Sequence, residues 1–333
     1  MKQNDLYGQA VGLVEQSVTI LITSHARPDG DSCGCMLALQ DALTGLGKKV
    51  TILLLSELPR WYAFLFAEMP PVLGKDVTIE QIRTGALIKP DLIIIVDTSS
   101  YAQLPDFEQF LKQTDTPILV IDHHIASDKI GAVEIIDPKA AAAGLVLFDF
   151  FKYAGWPMTT EAARFLFIAI ATDTGWFRFA NTDARVFRVC AELIEKGTGP
   201  SAVYRSLYHN FSYERFQLML RMLNSFELEF DGRYAHQHIT LQDFEQTGTS
   251  RADTESFIDE FRRIPSVEVA ALFVESENGQ IRCSMRSTGS VDVRAIMQEF
   301  GGGGHPMAAA STLPGPLEDA ERRVRDVVSL HVQ

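Results

Sequence analysis

Six residues, His25, Asp29, Asp31, Asp97, His123 and Asp173, supply four carboxylates and two imidazoles and no thiolate. Such a mixed oxygen and nitrogen donor set suits Mn²⁺, with Mg²⁺, Co²⁺ or Fe²⁺ as substitutes, better than it suits structural zinc. Six side chains can serve two ions about 3.5 to 4 Å apart if one carboxylate bridges them, the arrangement of two-metal hydrolases. A carboxylate placed directly after a run of buried β residues needs a cation, because leaving such a charge unpaired costs on the order of several kcal/mol. The sequence offers no coherent pairing of a Ser or Cys nucleophile with a base, so the chemistry expected is direct hydrolysis.

The elements that must position these residues alternate. Val18 to Thr23, Lys49 to Leu55, Leu92 to Val96 and Pro117 to Ile121 read as strands whose near-continuous apolar character suits burial on both faces. Ser32 to Leu46, Ala140 to Tyr153, Thr160 to Thr172 and Asp183 to Lys196 read as helices. The pattern predicts an α/β protein with a mainly parallel sheet covered by helices. His25, Asp29 and Asp31 follow the first strand, with Pro28 and Gly30 holding the turn between them, although Asp and Ser before a helix are also ordinary caps. Asp97 ends DLIIIVD, and Asp122, His123 and His124 end PILVIDHH. Open α/β sheets place ligands at these carboxyl ends. Asp173 follows an apolar helix and enters a glycine-containing turn.

A smaller α/β region follows, with strands at Arg233 to Thr240, Val267 to Val274 and Ile281 to Arg286, and helices near Ser256 to Arg263 and Pro316 to His331. The boundaries expected are residues 1–200 for the first domain, a helical connector over 201–224, and residues 225–333 for the second. The run Gly301 to Gly304, followed by His305, lets backbone N–H groups approach an anion, and a helix after it would add its positive end.

Composition narrows the substrates. With 43 acidic against 30 basic residues and a formal net charge of -13, the chain carries no positive field for long nucleic acid. A small anionic substrate in a local pocket fits better. Four cysteines, Cys33, Cys35, Cys190 and Cys283, are too few and scattered for a disulfide framework; Cys33 and Cys35 read as buried small side chains rather than metal ligands. No apolar run is long enough to span a membrane and the amino terminus lacks a signal-peptide core, so a cytoplasmic protein is expected. Trp176 and Phe177 read as core rather than as a base-stacking pair, and Arg262 and Arg263 as an ordinary helix-face pair.

Taken in order, His25-x3-Asp29-x-Asp31, Asp97, Asp122-His123-His124, Asp173 and Gly301-Gly-Gly-Gly-His305 resemble the DHH phosphoesterase family, most closely its bifunctional oligoribonuclease and pAp phosphatase branch. The resemblance implies that His25, Asp29 and Asp97 hold one metal and that Asp31, Asp97, His123 and Asp173 hold the other, with Asp97 bridging. It implies Asp122 orienting a histidine, and His124 beside the scissile phosphate, where it stabilises charge or protonates the leaving oxygen. The attacking group would be a hydroxide shared by the metals. The carboxyl-terminal region resembles the DHH-associated domain, which implies substrate contacts from Arg286, Ser287, Gly302, Gly303, Gly304 and His305, across a cleft that limits substrate length.

The substrates so implied are short RNA, linear dinucleotides or pAp, with no long nucleic acid and no membrane partner; a homodimer is allowed and not required. Rival readings are a cyclic-dinucleotide phosphodiesterase, an inorganic pyrophosphatase or polyphosphatase, and a catalytically silent nucleotide-binding protein. The second lacks the basic Ser-Arg-Lys type motif of pyrophosphatase relatives, and the third is at odds with the presence of all six ligands. One departure from the family is AAAAGLVLF after Asp137-Pro138, where related chains often carry a Ser or Thr before the glycine.

Overall fold

The computed structural model describes residues 3–125, 127–209, 211–254 and 256–332. It divides into two units, residues 1–210 and 211–333.

The first unit opens with α1 (Gln3–Gln16), β1 (Thr19–Thr23), α2 (Gly30–Gly45), β2 (Lys49–Ile52), α3 (Ile79–Arg83), β3 (Leu92–Val96), α4 (Glu108–Gln113), β4 (Ile118–Asp122) and β5 (Val133–Ile136). The five strands form a parallel sheet in the order β2-β1-β3-β4-β5. Every residue of β3 and β4 is buried, as parallel strands covered on both faces require. Alternation along β1 sends Ile20 and Ile22 into the core beneath α2 and Leu21 into the core beneath Phe107 and Phe110. The fifth strand, over VEII, was not among the expected ones; it is short and half-buried, with too little apolar run to stand out.

Four helices complete this unit: α5 (Ala143–Ala154), α6 (Thr160–Asp173), α7 (Ala184–Glu195) and α8 (Pro200–Tyr208). Thr159 and Asp183 cap α6 and α7 through their side-chain oxygens, and Gly155 ends α5 at φ 65°. Helices α2 and α6 pack closely because glycine lets them: a Cβ on Gly34 would lie 2.4 Å from the Phe165 carbonyl oxygen.

The second unit contains α9 (Tyr213–Asn224), β6 (Glu227–Glu229), β7 (Tyr234–Ile239), α10 (Leu241–Thr247), β8 (Val269–Glu275), β9 (Gln280–Ser287), α11 (Val293–Gln298), β10 (Gly303–His305), β11 (Ala308–Pro314) and α12 (Leu317–Val328). Its mixed sheet runs β10-β11-β9-β8-β7-β6, with β7 and β8 parallel and the other neighbours antiparallel. One face packs on α11 and α12 through Tyr234, Cys283 and Met285; the other packs on α9 and the 3₁₀ turns at Phe257–Arg263 through Ala270 and Leu272.

Four expectations are corrected. The connector expected over 201–224 is two helices, α8 and α9, because Ser212 leaves helical geometry to accept the Arg215 N–H and cap α9. Residues 256–263 form 3₁₀ turns rather than an α-helix. Helix α2 begins at Gly30, so Asp31 lies in its first turn rather than before it. The glycine run leads into the β10–β11 hairpin rather than a helix; alternate burial of Ala309, Ser311 and Leu313 is the strand period that small residues disguised.

Candidate metal centre

All six candidate ligands meet in the first unit. Asp97 follows β3, donates its N–H to the Ile121 carbonyl at 2.9 Å and is 2 % exposed. Its φ of 59° is left-handed, a conformation that non-glycine residues rarely hold without surrounding constraint. Asp29 caps α2, its Oδ1 accepting from the N–H groups of Asp31 and Ser32 at 3.0 Å each. Asp31 is 1 % exposed. Asp173 is the last residue of α6, and His25 and His123 follow β1 and β4.

Two donor triads result, His25 with Asp29 and Asp97, and Asp31 with His123 and Asp173; within each, ligand atoms lie within 4.8 Å of one another. Asp97 faces both. Its Oδ2 lies 3.3 Å from His25 Nε2, and its Oδ1 lies 3.5 Å from His123 Nε2. His123 Nε2 is also 3.5 Å from Asp173 Oδ2 and 3.9 Å from Asp31 Oδ2. Both imidazoles place Nδ1 against a backbone carbonyl, His25 at 2.9 Å from Ala26 O and His123 at 3.2 Å from Ala140 O. With the proton held on Nδ1, Nε2 would offer its lone pair to a metal ion bound among the carboxylates.

The electrostatics call for positive charge. No lysine or arginine among the described residues pairs with Asp29, Asp31, Asp97 or Asp173. Burial raises the pKa of Asp31 well above its ordinary value, and the charges of Asp97, Asp173 and Asp29 add to it. Burial likewise raises Asp29, and it raises Asp173 to about 6. Burial, the largest single influence, opposes charge on His25 and His123, but the hydrogen bond to Asp97 together with the charges of Asp97 and of Asp29 or Asp173 outweighs it and pushes both up to about 9. Asp97 is itself lowered, since hydrogen bonds from His123 and His25 overcome its burial. Nitrogen and oxygen donors crowded into two triads with surplus negative charge fit a pair of divalent cations.

Supporting contacts hold the donors still. The Asp31 carboxylate accepts the N–H groups of Ala143 and Gly144 at 2.6 and 2.9 Å, the first turn of α5. Ala142, the cap residue of that helix, makes no side-chain cap bond, and the Asp31 carboxylate caps the helix in its place. Ser32, which the sequence did not single out, sets its Oγ 2.7 Å from His25 Nε2, 2.8 Å from Asp97 Oδ2 and 3.1 Å from Asp29 Oδ1. Asp122 is fully buried, accepts from Ser99 Oγ at 2.6 Å and from His124 Nδ1 at 2.7 Å, and leaves a His124 side chain that is 46 % exposed. Ser99 was also missed, because a serine after DT carries no signal of its own.

Cys33 and Cys35 are buried with thiol pKa values pushed well up, chiefly by burial, as expected of packing residues. Trp176 and Phe177 pack edge-on to Phe167 against the core. Arg263 pairs with Glu260 one turn away at 3.1 Å, an ordinary surface pair, while the Arg262 side chain lies outside the described residues.

In the second unit, pairing places Arg286 opposite Ala308 and Ala308 opposite His305. Residues directly opposite share a face, so Arg286 and His305 stand on one face two strands apart. Arg286 donates to the Met285 carbonyl at 3.1 Å and lies 3.8 Å from Asp259. Ser287 is buried, and its Oγ accepts the N–H of Gly289 at 3.0 Å. Gly304 has a φ of 140°, and Gly302 passes so near β11 that a Cβ would lie 2.3 Å from the Ala310 carbonyl oxygen.

The DHH family N-terminal domain matches residues 19–170, and the DHHA1 domain matches residues 231–330. A "Bifunctional oligoribonuclease and PAP phosphatase NrnA" of Thermus thermophilus is 30% identical over 93% of this chain and 89% of its own length. The chain belongs to the DHH family. A second relative with that name, from Bacillus subtilis, is 25% identical over 94% of each chain. Among solved structures, an exopolyphosphatase-related protein from Bacteroides fragilis superposes with a TM-score of 0.85 at 22% identity, covering 98% of this chain and 96% of its own. That likeness shows a shared fold. No helix among the described residues is long and apolar enough to cross a membrane.

Proposed function

We propose that this DHH-family hydrolase cleaves very short oligoribonucleotides or linear dinucleotides, removes the 3′-phosphate of pAp, or does both. Two relatives that match it over most of their length carry the name oligoribonuclease and PAP phosphatase. The observation that carries the two-metal reading is the Asp97 carboxylate, whose two oxygens face Nε2 of different histidines. His25, Asp29 and Asp97 would hold one ion; Asp31, Asp97, His123 and Asp173 the other. Mn²⁺ suits these donors, with Mg²⁺, Co²⁺ or Fe²⁺ as substitutes. When bound, such ions supply Lewis acidity toward phosphoryl oxygens and an acidified water.

The side chains around them do the rest. Asp122 holds His124 by its Nδ1 at 2.7 Å, and this contact, set against partial burial, raises the histidine's pKa. His124 can then keep a proton on Nε2 for the leaving oxygen. Arg286, His305 and the N–H groups of Gly302 to Gly304 would take the substrate's remaining phosphate oxygens, with Ser287 fixing the turn beside them. The four cysteines, all buried free thiols, accord with a cytoplasmic protein.

The test is Mn²⁺-dependent hydrolysis of an RNA dinucleotide, a five-nucleotide RNA, pAp, c-di-AMP and pyrophosphate, each with a chelator control. Turnover of the dinucleotide or pAp is expected. Turnover confined to pyrophosphate or c-di-AMP would contradict the substrate assignment, and no turnover by metal-loaded protein would contradict the enzyme.

A further inference from the structure

Far along the chain from these ligands, a second donor cluster lies on the edge of the second unit's sheet. Glu227 stands directly opposite His236 in the β6–β7 ladder, and Glu229 stands opposite Tyr234. Opposed residues and those two apart on a strand share a face, so Glu227, Glu229 and His236 all project on the side of α12. Their ligand atoms lie within 4.8 Å of one another.

His236 is 7 % exposed, and neither ring nitrogen has a hydrogen-bond partner among the described residues. Burying such a group without a partner costs about 1–3 kcal/mol. The ring is fixed in place, stacked on Tyr234 at 5.2 Å with 22° between planes and edge-on to Phe273. Its Nε2 points at the two glutamates, 3.6 Å from Glu227 Oε2 and 4.0 Å from Glu229 Oε1. These gaps exceed a hydrogen bond. They fall within about 4.2 Å, twice the bond length of a zinc ion to imidazole nitrogen or carboxylate oxygen.

Glu229 Oε1 has a second neighbour, Arg325 Nη1 on α12 at 3.6 Å, which leaves Glu229 Oε2 buried and without a partner. The arginine thus balances one charge of the glutamate pair and leaves the imidazole lone pair and the other carboxylate unmatched.

We propose that Glu227, Glu229 and His236 form a second cation site, taking a zinc-like divalent ion that fastens the edge strand β6 to β7. One imidazole and two carboxylates are a borderline-soft set that zinc accepts, with a further position left to water. Bound there, the ion would hold the proton of His236 on Nδ1 and tie down the strand that follows α9.

The experiment is equilibrium dialysis of the full chain against Zn²⁺ with elemental analysis, for wild type and the Glu227→Gln/Glu229→Gln double variant. The Glu227 side chain is 66 % exposed and both substitutions keep the side-chain shape, so the double variant is expected to fold, which circular dichroism checks. A second variant, His236→Gln, is checked for native circular dichroism before use. The expected result is the loss of one zinc ion per chain in each folded variant, with Mn²⁺-dependent hydrolysis unchanged. Equal zinc content in wild type and the double variant would overturn the site.

Discussion

Asp122 and His124 form a closed unit: Asp122 Oδ1 accepts from His124 Nδ1 at 2.7 Å and from the His124 backbone N–H at 3.2 Å. The carboxylate is itself lowered in pKa, since hydrogen bonds from His124 and Ser99 outweigh its burial. The pair fixes the imidazole's tautomer and keeps it charged to higher pH.

Asp122→Asn therefore has two expected effects. The rate kcat falls about 10–100-fold, the range for losing a partner that orients a functional histidine, while metal content stays that of wild type. The alkaline limb of the pH–rate profile moves to lower pH, because His124 loses the contact that raises it and gives up its proton sooner. A profile that keeps its position would detach His124 from proton transfer.

Gly34→Ala tests how the helices that carry Asp29, Asp31 and Asp173 are set. The added Cβ would lie 2.4 Å from the Phe165 carbonyl and 2.9 Å from the Ala169 Cβ, and backbone cannot rotate away as a side chain can. Overpacking of this kind destabilises by about 1–3 kcal/mol. It would also displace Asp29 and Asp31 from Asp173. Chemical denaturation and Mn²⁺ affinity should both weaken; an unchanged midpoint would show that α2 and α6 are not tightly joined.

Stability of the second unit should depend on pH through His238. Its Nδ1 lies 2.9 Å from Glu321 Oε1, a contact that raises the histidine above its ordinary 6.5. A raised folded-state value contributes stability that is fully present below the unfolded pKa and is lost as pH rises through the folded one. His238→Gln should thus cost roughly 0.5–1 kcal/mol near pH 6 and little near pH 9, in the range of partly exposed ion pairs. Denaturation at the two values checks this, and an equal loss at both would remove the pair from the account.

Much of the site was legible because apolar strands ending at Asp97 and Asp122 leave buried carboxylates that need partners, a hydroxyl and a histidine for Asp122 and two histidines and a serine for Asp97. The strand ends themselves shifted by one to three residues, which matters little when the candidate ligand lies just beyond. What escaped was three-dimensional. The capping of α5 by Asp31 joins residues far apart in sequence, and no local pattern announces it. Ser32 follows Asp31 on a helix's first turn, where a serine reads as a cap. Ala308–Pro314 looked helical because alanine favours helices. Pairing with β9 along its length overrode that preference.

The central claim is that Asp97 joins two metal ions in one hydrolytic centre. It is tested most directly by measuring Mn²⁺ content and dinucleotide or pAp turnover of wild type and Asp97→Ala under identical loading. Wild type should lose turnover to a chelator and regain it with Mn²⁺, and Asp97→Ala should bind at least one ion fewer per chain with turnover reduced by about 10³-fold or more. Near-normal turnover or undiminished Mn²⁺ content in a folded Asp97→Ala would contradict the account.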